Sequence, residues 1–132
     1  MGLYLQPELN KEIQEFSALG MAHIGDAVYE LLVRTWICTA GITTARKLHK
    51  ATVEHVSATA QATAAERLRP HLSDDELAVY KRGRNAHVKT IPRGASTEDY
   101  HNATALETLF GYLYLSGNTA RVEELFSLII NE

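Results

Sequence analysis

The chain has 132 residues, of which 45% are hydrophobic and 22% charged, and its formal net charge is −3. These proportions exclude a mainly disordered chain, and no apolar run approaches the ~18 residues of a membrane span. The single cysteine, Cys38, excludes an internal disulfide framework and a cysteine-based zinc site. Because no secretory signal opens the chain, we expect one cytoplasmic domain over residues 1–132, with Cys38 buried at a helix end.

Helical periodicity dominates the first half of the chain, and no run of alternating β-branched residues closed by tight turns predicts a strand. The pattern predicts a long first helix from about Gln14 to Ile37, which ends at the glycine of "TAGITT". A second helix should begin with Thr43 or Thr44 as its cap and continue unbroken until Pro70 ends it. This second helix is rich in alanine, which favours close packing against another helix.

Three further helices are predicted in the second half. Ser73 opens a capping box, "SDDE", in which Glu76 reaches back to the cap, and this helix carries "LAVYKRGRNA". "STED" indicates another start at Ser96, leading into "YHNATALETLFGYLYL", and Ser116-Gly117 ends that helix. Asn118 can then cap a last helix, "TARVEELFSLII".

The positive charge is concentrated in one segment. From residue 81 to residue 93, "KRGRNAHVKTIPR" carries five positive charges and no acid, so the rest of the chain stands at −8. A cationic patch on an acidic body is typical of nucleic-acid binding. A solvated basic loop has the same composition, so the charge alone leaves both interpretations open.

The stretch "MAHIGDAVYELL" places a carboxylate and a glycine inside an apolar helix. At ~100° per residue, Asp26 shares a face with small and apolar side chains: Leu19, Ala22, Tyr29 and Val33. An ionised carboxylate on a buried face is costly unless it is paired or metal-bound, and Gly25 costs roughly 1 kcal/mol relative to Ala. The two residues together indicate a functional site. The structural alternative is an aspartate that caps a helix or pairs with Arg34 or Arg46.

A second acid, Glu107, lies inside the apolar run "NATALETLFGYLYL" and is again surrounded by small residues. If the two helices cross, Asp26 and Glu107 come together with room between them. Two close carboxylates repel unless a proton or cation intervenes, and Mg²⁺ suits a pair of oxygen ligands. Such an ion stabilises phosphoryl transfer to water, so a cationic segment beside it points to phosphodiester hydrolysis.

Several of these segments resemble one known family. "IGDAVYELLV" resembles the ribonuclease III signature, with its Gly-Asp pair on a helix, and "TALETLFGYLYL" resembles that fold's second acidic helix. "KLHKATVEHVSATAQA" and "RGRNAHVKTIPR" are similar to the second long helix and the basic loop of a small branch, Mini-ribonuclease III. The resemblance extends from about Leu19 to Leu125.

The resemblance implies an all-α helical bundle of the ribonuclease III endonuclease type. It also implies a homodimer that cuts double-stranded RNA with Mg²⁺ and has no separate RNA-binding domain. Asp26 would be the central catalytic and metal-binding acid, and Glu107 its partner. The implied substrate is the large-subunit (23S) rRNA precursor, and a ribosomal protein of that subunit would assist. We expect the RNA to contact Lys81, Arg82, Arg84, Asn85, His87, Lys89 and Arg93.

The match departs from ordinary ribonuclease III at two acids. Ala22 and Thr104 stand four residues before the aspartate and three before the glutamate, where larger enzymes have carboxylates. The number of metal ions therefore stays open, and Glu30 is either a compensating ligand or a salt-bridge partner. A transition-metal site of His23, Asp26 and Glu30 is a weaker possibility.

Two other functions and the dimer contact are also open. The first is a non-catalytic RNA-binding or ribosome-assembly module, and the second is a helical nucleotide phosphohydrolase. The basic segment favours a polymer over a small nucleotide. Apolar surface near Tyr29, Leu32 and Trp36 is the expected dimer contact, unless Trp36 belongs to the core.

Overall fold

The computed structural model describes residues 12–86 and 96–131, and these residues form helices without any strand. Within the described ranges there are six α-helices and two 3-10 turns, Ile13–Glu15 before the first helix and Arg69–His71 between the third and the fourth. The helices are α1 Ala18–Thr39, α2 Ala45–Val56, α3 Ala58–Leu68, α4 Asp74–Arg84, α5 Thr97–Leu115 and α6 Thr119–Ile130. The predicted all-α class is thereby confirmed.

Each of the six helices begins after a short polar residue whose side chain accepts a backbone N–H of the first turn. This contact satisfies donors that have no partner inside the helix and fixes where each helix starts. The sequence indicated four of these caps correctly, and the caps of α1 and α3 were missed. The capping residues in chain order are Ser17, Thr44, Ser57, Ser73, Ser96 and Asn118.

The predicted unbroken second helix was wrong, because the chain breaks at Ser57. The backbone of Ser57 is extended (φ −63°, ψ 155°), and its N–H donates to the Val53 carbonyl, which closes α2. The Ser57 hydroxyl then accepts the N–H of Ala60 and opens α3. The first helix was likewise placed too early, since it begins at Ala18 after its Ser17 cap.

Helix α5 is the centre of the bundle, and α1, α3, α4 and α6 pack around it. Tyr29 lies in this core, with its ring perpendicular to those of Phe110 and Phe126 at centroid distances of 5.3 and 5.9 Å. Tyr29 is therefore not part of an exposed patch, contrary to expectation, and Trp36 is partly buried against the same core. Cys38 lies at the end of α1 as expected but is exposed rather than buried.

A partly buried ion pair joins the start of α4 to the start of α6. Arg121 donates to both carboxylate oxygens of Glu76 at 2.8 Å and to the His71 carbonyl at 2.9 Å. The predicted capping box is present as well, since Glu76 accepts the N–H of Ser73 at 2.9 Å. The hydrogen bonds from the Arg121 guanidinium hold the pKa of Glu76 below its ordinary value.

Within the described ranges, no helix is both long and apolar enough to cross a membrane.

Candidate active site

The candidate site lies where α1 crosses α5 with their backbones in direct contact. A Cβ atom on Gly25 would lie 1.7 Å from the Glu107 carbonyl oxygen, and one on Gly111 would lie 1.9 Å from the Met21 carbonyl oxygen. Such distances leave no space for any side chain, so only glycine fits either position. Gly25 therefore brings α5 against α1 at the residue that precedes Asp26.

This crossing brings the carboxyl groups of Asp26 and Glu107 into hydrogen-bond contact. Burial is the largest cause that raises the pKa of Glu107 to about 8, and the hydrogen bond to Asp26 and its negative charge raise it further. Glu107 therefore holds its proton at neutral pH and donates it to Asp26. Two facing carboxylates that share one proton are the usual result when no cation lies between them.

The two acids differ in their access to solvent. Glu107 is half-buried between helices, whereas Asp26 is exposed at the edge of the crossing. The expected burial of Asp26 was wrong, because the wheel places it beside apolar residues but α1 presents that edge to water. One side of the pair is therefore partly enclosed by the helices, and the other is open to solvent and to a ligand.

The nearest ion pair on α1 joins Arg34 to Glu30 and does not involve Asp26 or Glu107. Arg34 contacts Glu30 one turn earlier, at 2.7 Å, so its ionic partner is not Asp26. Glu30 therefore takes the salt-bridge role that the sequence left open. Across the parts of the chain that the structure describes, no three or more His, Cys, Asp or Glu side chains gather as metal ligands. A site built from His23, Asp26 and Glu30 is not supported.

The two positions at which the resemblance led us to expect acids, Ala22 and Thr104, are packed at the helix crossing. Ala22 and Thr104 are each 6% exposed. The Thr104 hydroxyl donates to the Tyr100 carbonyl of its own helix at 2.9 Å. In this chain the acid pair stands without those two carboxylates.

Sequence reasoning missed a third polar group, Gln61 of α3. Gln61 is 3% exposed, and its amide faces Glu107 closely enough to oppose the rise in that pKa. The Nε2 atom nevertheless has no hydrogen bond of acceptable distance and angle to the described residues. Its only signal in the sequence is one amide side chain within the alanine-rich stretch "ATAQATAA".

The described part of the basic segment forms the end of α4. Lys81, Arg82 and Asn85 are exposed, while Arg84 is half-buried. Arg82 donates to the Phe16 carbonyl at 2.6 Å, and the Arg84 Nε donates to Asn102 of α5 at 3.0 Å. His87, Lys89 and Arg93 lie outside the described residues.

A third close helix contact fixes this basic end relative to the acids. Gly83, in the middle of the basic run, packs on Thr108, where a Cβ atom would meet the hydroxyl at 2.4 Å. Thr108 is the residue after Glu107. The end of α4 therefore rests on the same part of α5 that carries the buried acid.

Comparison with known proteins identifies the family. Residues 19–118, which include both acids and the described basic residues, match the model of the ribonuclease III domain. The chain belongs to the ribonuclease III family. As a member of that family it is an endoribonuclease, so the non-catalytic module considered above does not apply.

Named relatives place this ribonuclease III chain in the small branch, and a solved structure shares its fold. It is 41% identical to the Mini-ribonuclease 3 of Clostridium tetani over 97% of its own length and 86% of the relative's. It is 42% identical to the Mini-ribonuclease 3 of Brevibacillus brevis over 89% and 88% of the two chains. A crystal structure of a Fusobacterium nucleatum protein superposes with a TM-score of 0.85 at 28% identity, over 93% of this chain and all of that one.

Proposed function

We propose that this endoribonuclease cuts double-stranded RNA and that Asp26 and Glu107 hold the Mg²⁺ ion for the reaction. The observation that carries the proposal is the pairing of two carboxyl groups, from α1 and α5, at the edge of a rigid helix crossing. Nothing in the packing of the core requires a second acid beside Glu107. Facing acids of this kind raise the energy of the folded protein, which is the pattern expected of a site kept for function.

The residues present fit a Mg²⁺ ion. In proteins Mg²⁺ is commonly held by one or two carboxylates, with water and substrate phosphates completing its shell. Asp26 and Glu107 supply two such groups, and the exposed side of Asp26 leaves room for phosphate. When bound, Mg²⁺ supplies a Lewis acid that favours attack on phosphorus and neutralises charge there.

The protein contributes position and charge to the reaction. The crossing at Gly25 and Gly111 fixes the separation of the two acids, because neither helix backbone can move closer or slide without a clash. Glu107 loses its proton when it becomes a ligand, since metal ligands bind in their deprotonated form. Asp26, which faces solvent, is the acid nearer to an incoming phosphodiester.

The end of α4 is the proposed RNA contact. A-form RNA offers phosphates and 2′-hydroxyls across a shallow minor groove, so recognition should depend mostly on shape and charge. Arg82 and Arg84 are held in place by Phe16 and Asn102, which reduces the entropy lost when they contact phosphate. The proposed RNA-contact residues are Lys81, Arg82, Arg84 and Asn85, together with His87, Lys89 and Arg93 from the sequence.

We further propose that the protein acts as a homodimer in the cytoplasm. A duplex has two strands, and with one site per chain both strands are cut in a single encounter only when two chains act together. On α1 the most exposed large apolar side chain in the described ranges is Leu31, at 55% exposure, five residues after Asp26. We expect wild type to sediment as a dimer and Leu31→Lys to shift it toward monomer.

The proposed natural substrate is the 23S rRNA precursor, presented with the help of a large-subunit ribosomal protein. Its support is the similarity to Mini-ribonuclease 3 proteins. Incubation of the purified precursor with the enzyme, with and without large-subunit proteins, tests this substrate. Defined cuts that produce the mature ends are the expected result.

The test of the catalytic pair compares Asp26→Asn with Glu30→Gln on a labelled RNA duplex in Mg²⁺. Both changes remove one acid from the same face of α1, but Glu30 pairs with Arg34 and not with Glu107. We expect Asp26→Asn to lower the cleavage rate more than about 100-fold. Mutation of a residue that only hydrogen-bonds to a metal ligand already lowers metal affinity or activity about 10–100-fold, and Asp26 is proposed as a ligand itself. Glu30→Gln should cleave within about threefold of wild type.

The remaining alternative, a nucleotide phosphohydrolase, is tested by incubating the enzyme with a panel of nucleotides, and we expect no turnover. In the duplex assay, equal loss of cleavage in Asp26→Asn and Glu30→Gln would contradict the assignment to Asp26. Failure of wild type to cut varied duplexes in Mg²⁺ would overturn the proposed substrate.

A further inference from the structure

Gln61 is a buried polar side chain whose donor group is left without a partner. Its side chain is 3% exposed, and the Nε2 atom makes no hydrogen bond with the described residues. An unpaired buried donor costs roughly 1–3 kcal/mol, and native proteins retain few of them. An apolar residue of similar size would avoid that cost, so the amide requires an explanation.

The placement of Gln61 is fixed by the start of α3. The break at Ser57 gives α3 its own direction, and the N–H of Gln61 donates to the Ser57 carbonyl at 2.9 Å. Small buried neighbours on the same helix, Ala62 and Ala65, allow α3 to pack closely on α5. The Gln61 side chain therefore starts from the first turn of a capped helix, which packs against the helix that carries Glu107.

The group that Gln61 faces is the Glu107 carboxyl. The side-chain amide of Gln61 lies within hydrogen-bond reach of that carboxyl, and its Nε2 donor is buried without another partner. Glu107 is meanwhile occupied by its hydrogen bond with Asp26. A cation between the two acids would replace the proton that they share, and the ionised Glu107 carboxylate would then be a stronger acceptor for the Gln61 amide.

We propose that Gln61 is a positioning residue, which donates from Nε2 to the Glu107 carboxylate and fixes the oxygen that this acid presents to the metal. This role rests on the function proposed above for Asp26 and Glu107. Carboxylates that ligate metals are commonly held by such hydrogen bonds, and loss of the outer partner weakens metal affinity. Gln61 itself touches neither the metal nor the RNA in this assignment.

Titration with Mn²⁺, which accepts the oxygen ligands of Mg²⁺, tests the proposal without any cleavage. Free Mn²⁺ is measured by electron paramagnetic resonance in solutions of the full chain. Gln61→Met keeps the volume and removes the donor, so we expect an apparent dissociation constant about tenfold higher than in wild type. The melting temperature should stay equal or rise, because an unpaired buried amide is lost.

Thr52→Val is the matched control. Thr52 is also buried at 8% exposure, and its hydroxyl donates to the Leu48 carbonyl of α2. It is a helical polar residue outside the acid pair, so its substitution should leave Mn²⁺ affinity unchanged. A general loosening of the helices would affect both variants alike.

A second background shows whether Gln61 acts through Glu107. In Glu107→Gln protein, adding Gln61→Met should cause no further loss of Mn²⁺ affinity. An undiminished tenfold effect in that background would overturn the proposal, as would wild-type affinity in Gln61→Met alone. In the latter case Asp26→Asn would still lose Mn²⁺, and the proposed function would stand. Equally weak Mn²⁺ binding by wild type and Asp26→Asn would overturn both the role of Gln61 and the proposed metal site at Asp26 and Glu107.

Discussion

The carboxyl of Glu107 is hydrogen-bonded to that of Asp26 across the crossing of α1 and α5. Burial and this neighbour raise the pKa of Glu107 from 4.5 to about 8. Between those two pH values the folded protein binds a proton that the unfolded chain has released. The free energy of unfolding therefore includes a contribution that is complete below pH 4.5 and is lost as the pH rises toward 8.

Glu107→Gln should consequently stabilise the protein, increasingly as the pH rises from 5 to 8. A neutral amide keeps the shape of the acid and removes the cost of ionising it inside the bundle. We expect a gain of about 0.5–2 kcal/mol near pH 8, which is typical of substitutions that relieve a functional site. Urea unfolding at pH 5, 6.5 and 8 measures it. The Glu30→Gln variant is the control, and equal pH dependence in wild type and Glu107→Gln would contradict the prediction.

Gly25→Ala should strongly destabilise the fold, although alanine is the better helix former. The new Cβ would lie 1.7 Å from the Glu107 carbonyl oxygen, which is backbone and cannot rotate away. Overpacking commonly costs 1–3 kcal/mol, and we expect at least about 3 kcal/mol here. Thermal unfolding followed by circular dichroism checks this. Gly20→Ala on the same helix is the control, because its Cβ meets only the Ser17 hydroxyl, at 2.9 Å; equal loss in both variants would refute the explanation.

Local features of this fold were predictable from the sequence. The caps at Ser73, Ser96 and Asn118 depend on a few neighbouring residues, and the structure has them as predicted; of the two caps considered for the second helix, Thr43 and Thr44, the structure has Thr44. The pairing of Asp26 with Glu107 was also foreseeable, since two acids inside apolar helices require a shared partner. These features need no knowledge of how distant segments pack.

The features that were missed depend on distant segments. The 3.6-residue period continues through Ser57, so only the direction required to bring α3 onto α5 reveals the break. The role of Gln61 follows from that break, and the pairing of Glu76 with Arg121 joins residues 45 positions apart. The exposure of Asp26 depends on where the edge of α1 faces once the bundle is assembled.

Arg121→Met should be among the most destabilising substitutions outside the site. It leaves Glu76, which is 7% exposed, buried with only its capping-box contacts. Removing one partner of a fully buried pair costs about 3–5 kcal/mol, and we expect a smaller loss here because the Arg121 side chain is partly exposed. Because Arg121 lowers the pKa of Glu76, the stability due to the pair is present above pH 4.5 and is lost as the pH falls through the folded value. Unfolding by urea at pH 7 and pH 3.5 should show the variant's deficit shrinking in acid.

The double variant Arg121→Met with Glu76→Gln is the control for that explanation. Glutamine still accepts at the capping box but carries no charge to be stranded in the bundle. We expect it to recover a substantial part of the lost stability at pH 7. No recovery would show that the arginine acts through its contacts with His71 and Glu124 and the packing of its side chain.

Lys81→Ala should weaken binding of duplex RNA by reducing the number of phosphate contacts. The measurement uses the Asp26→Asn background, so that the duplex is not cut, and follows the binding constant against salt concentration. Each lost phosphate contact should lower the slope of log K against log salt by about 1. Lys50→Ala is the control, since Lys50 is an exposed lysine of α2 away from the basic end of α4. Arg82→Ala should behave as Lys81→Ala does, and its thermal unfolding should be checked because Arg82 also holds Phe16. Identical slopes for wild type and both α4 variants would remove this end of α4 from the RNA contact.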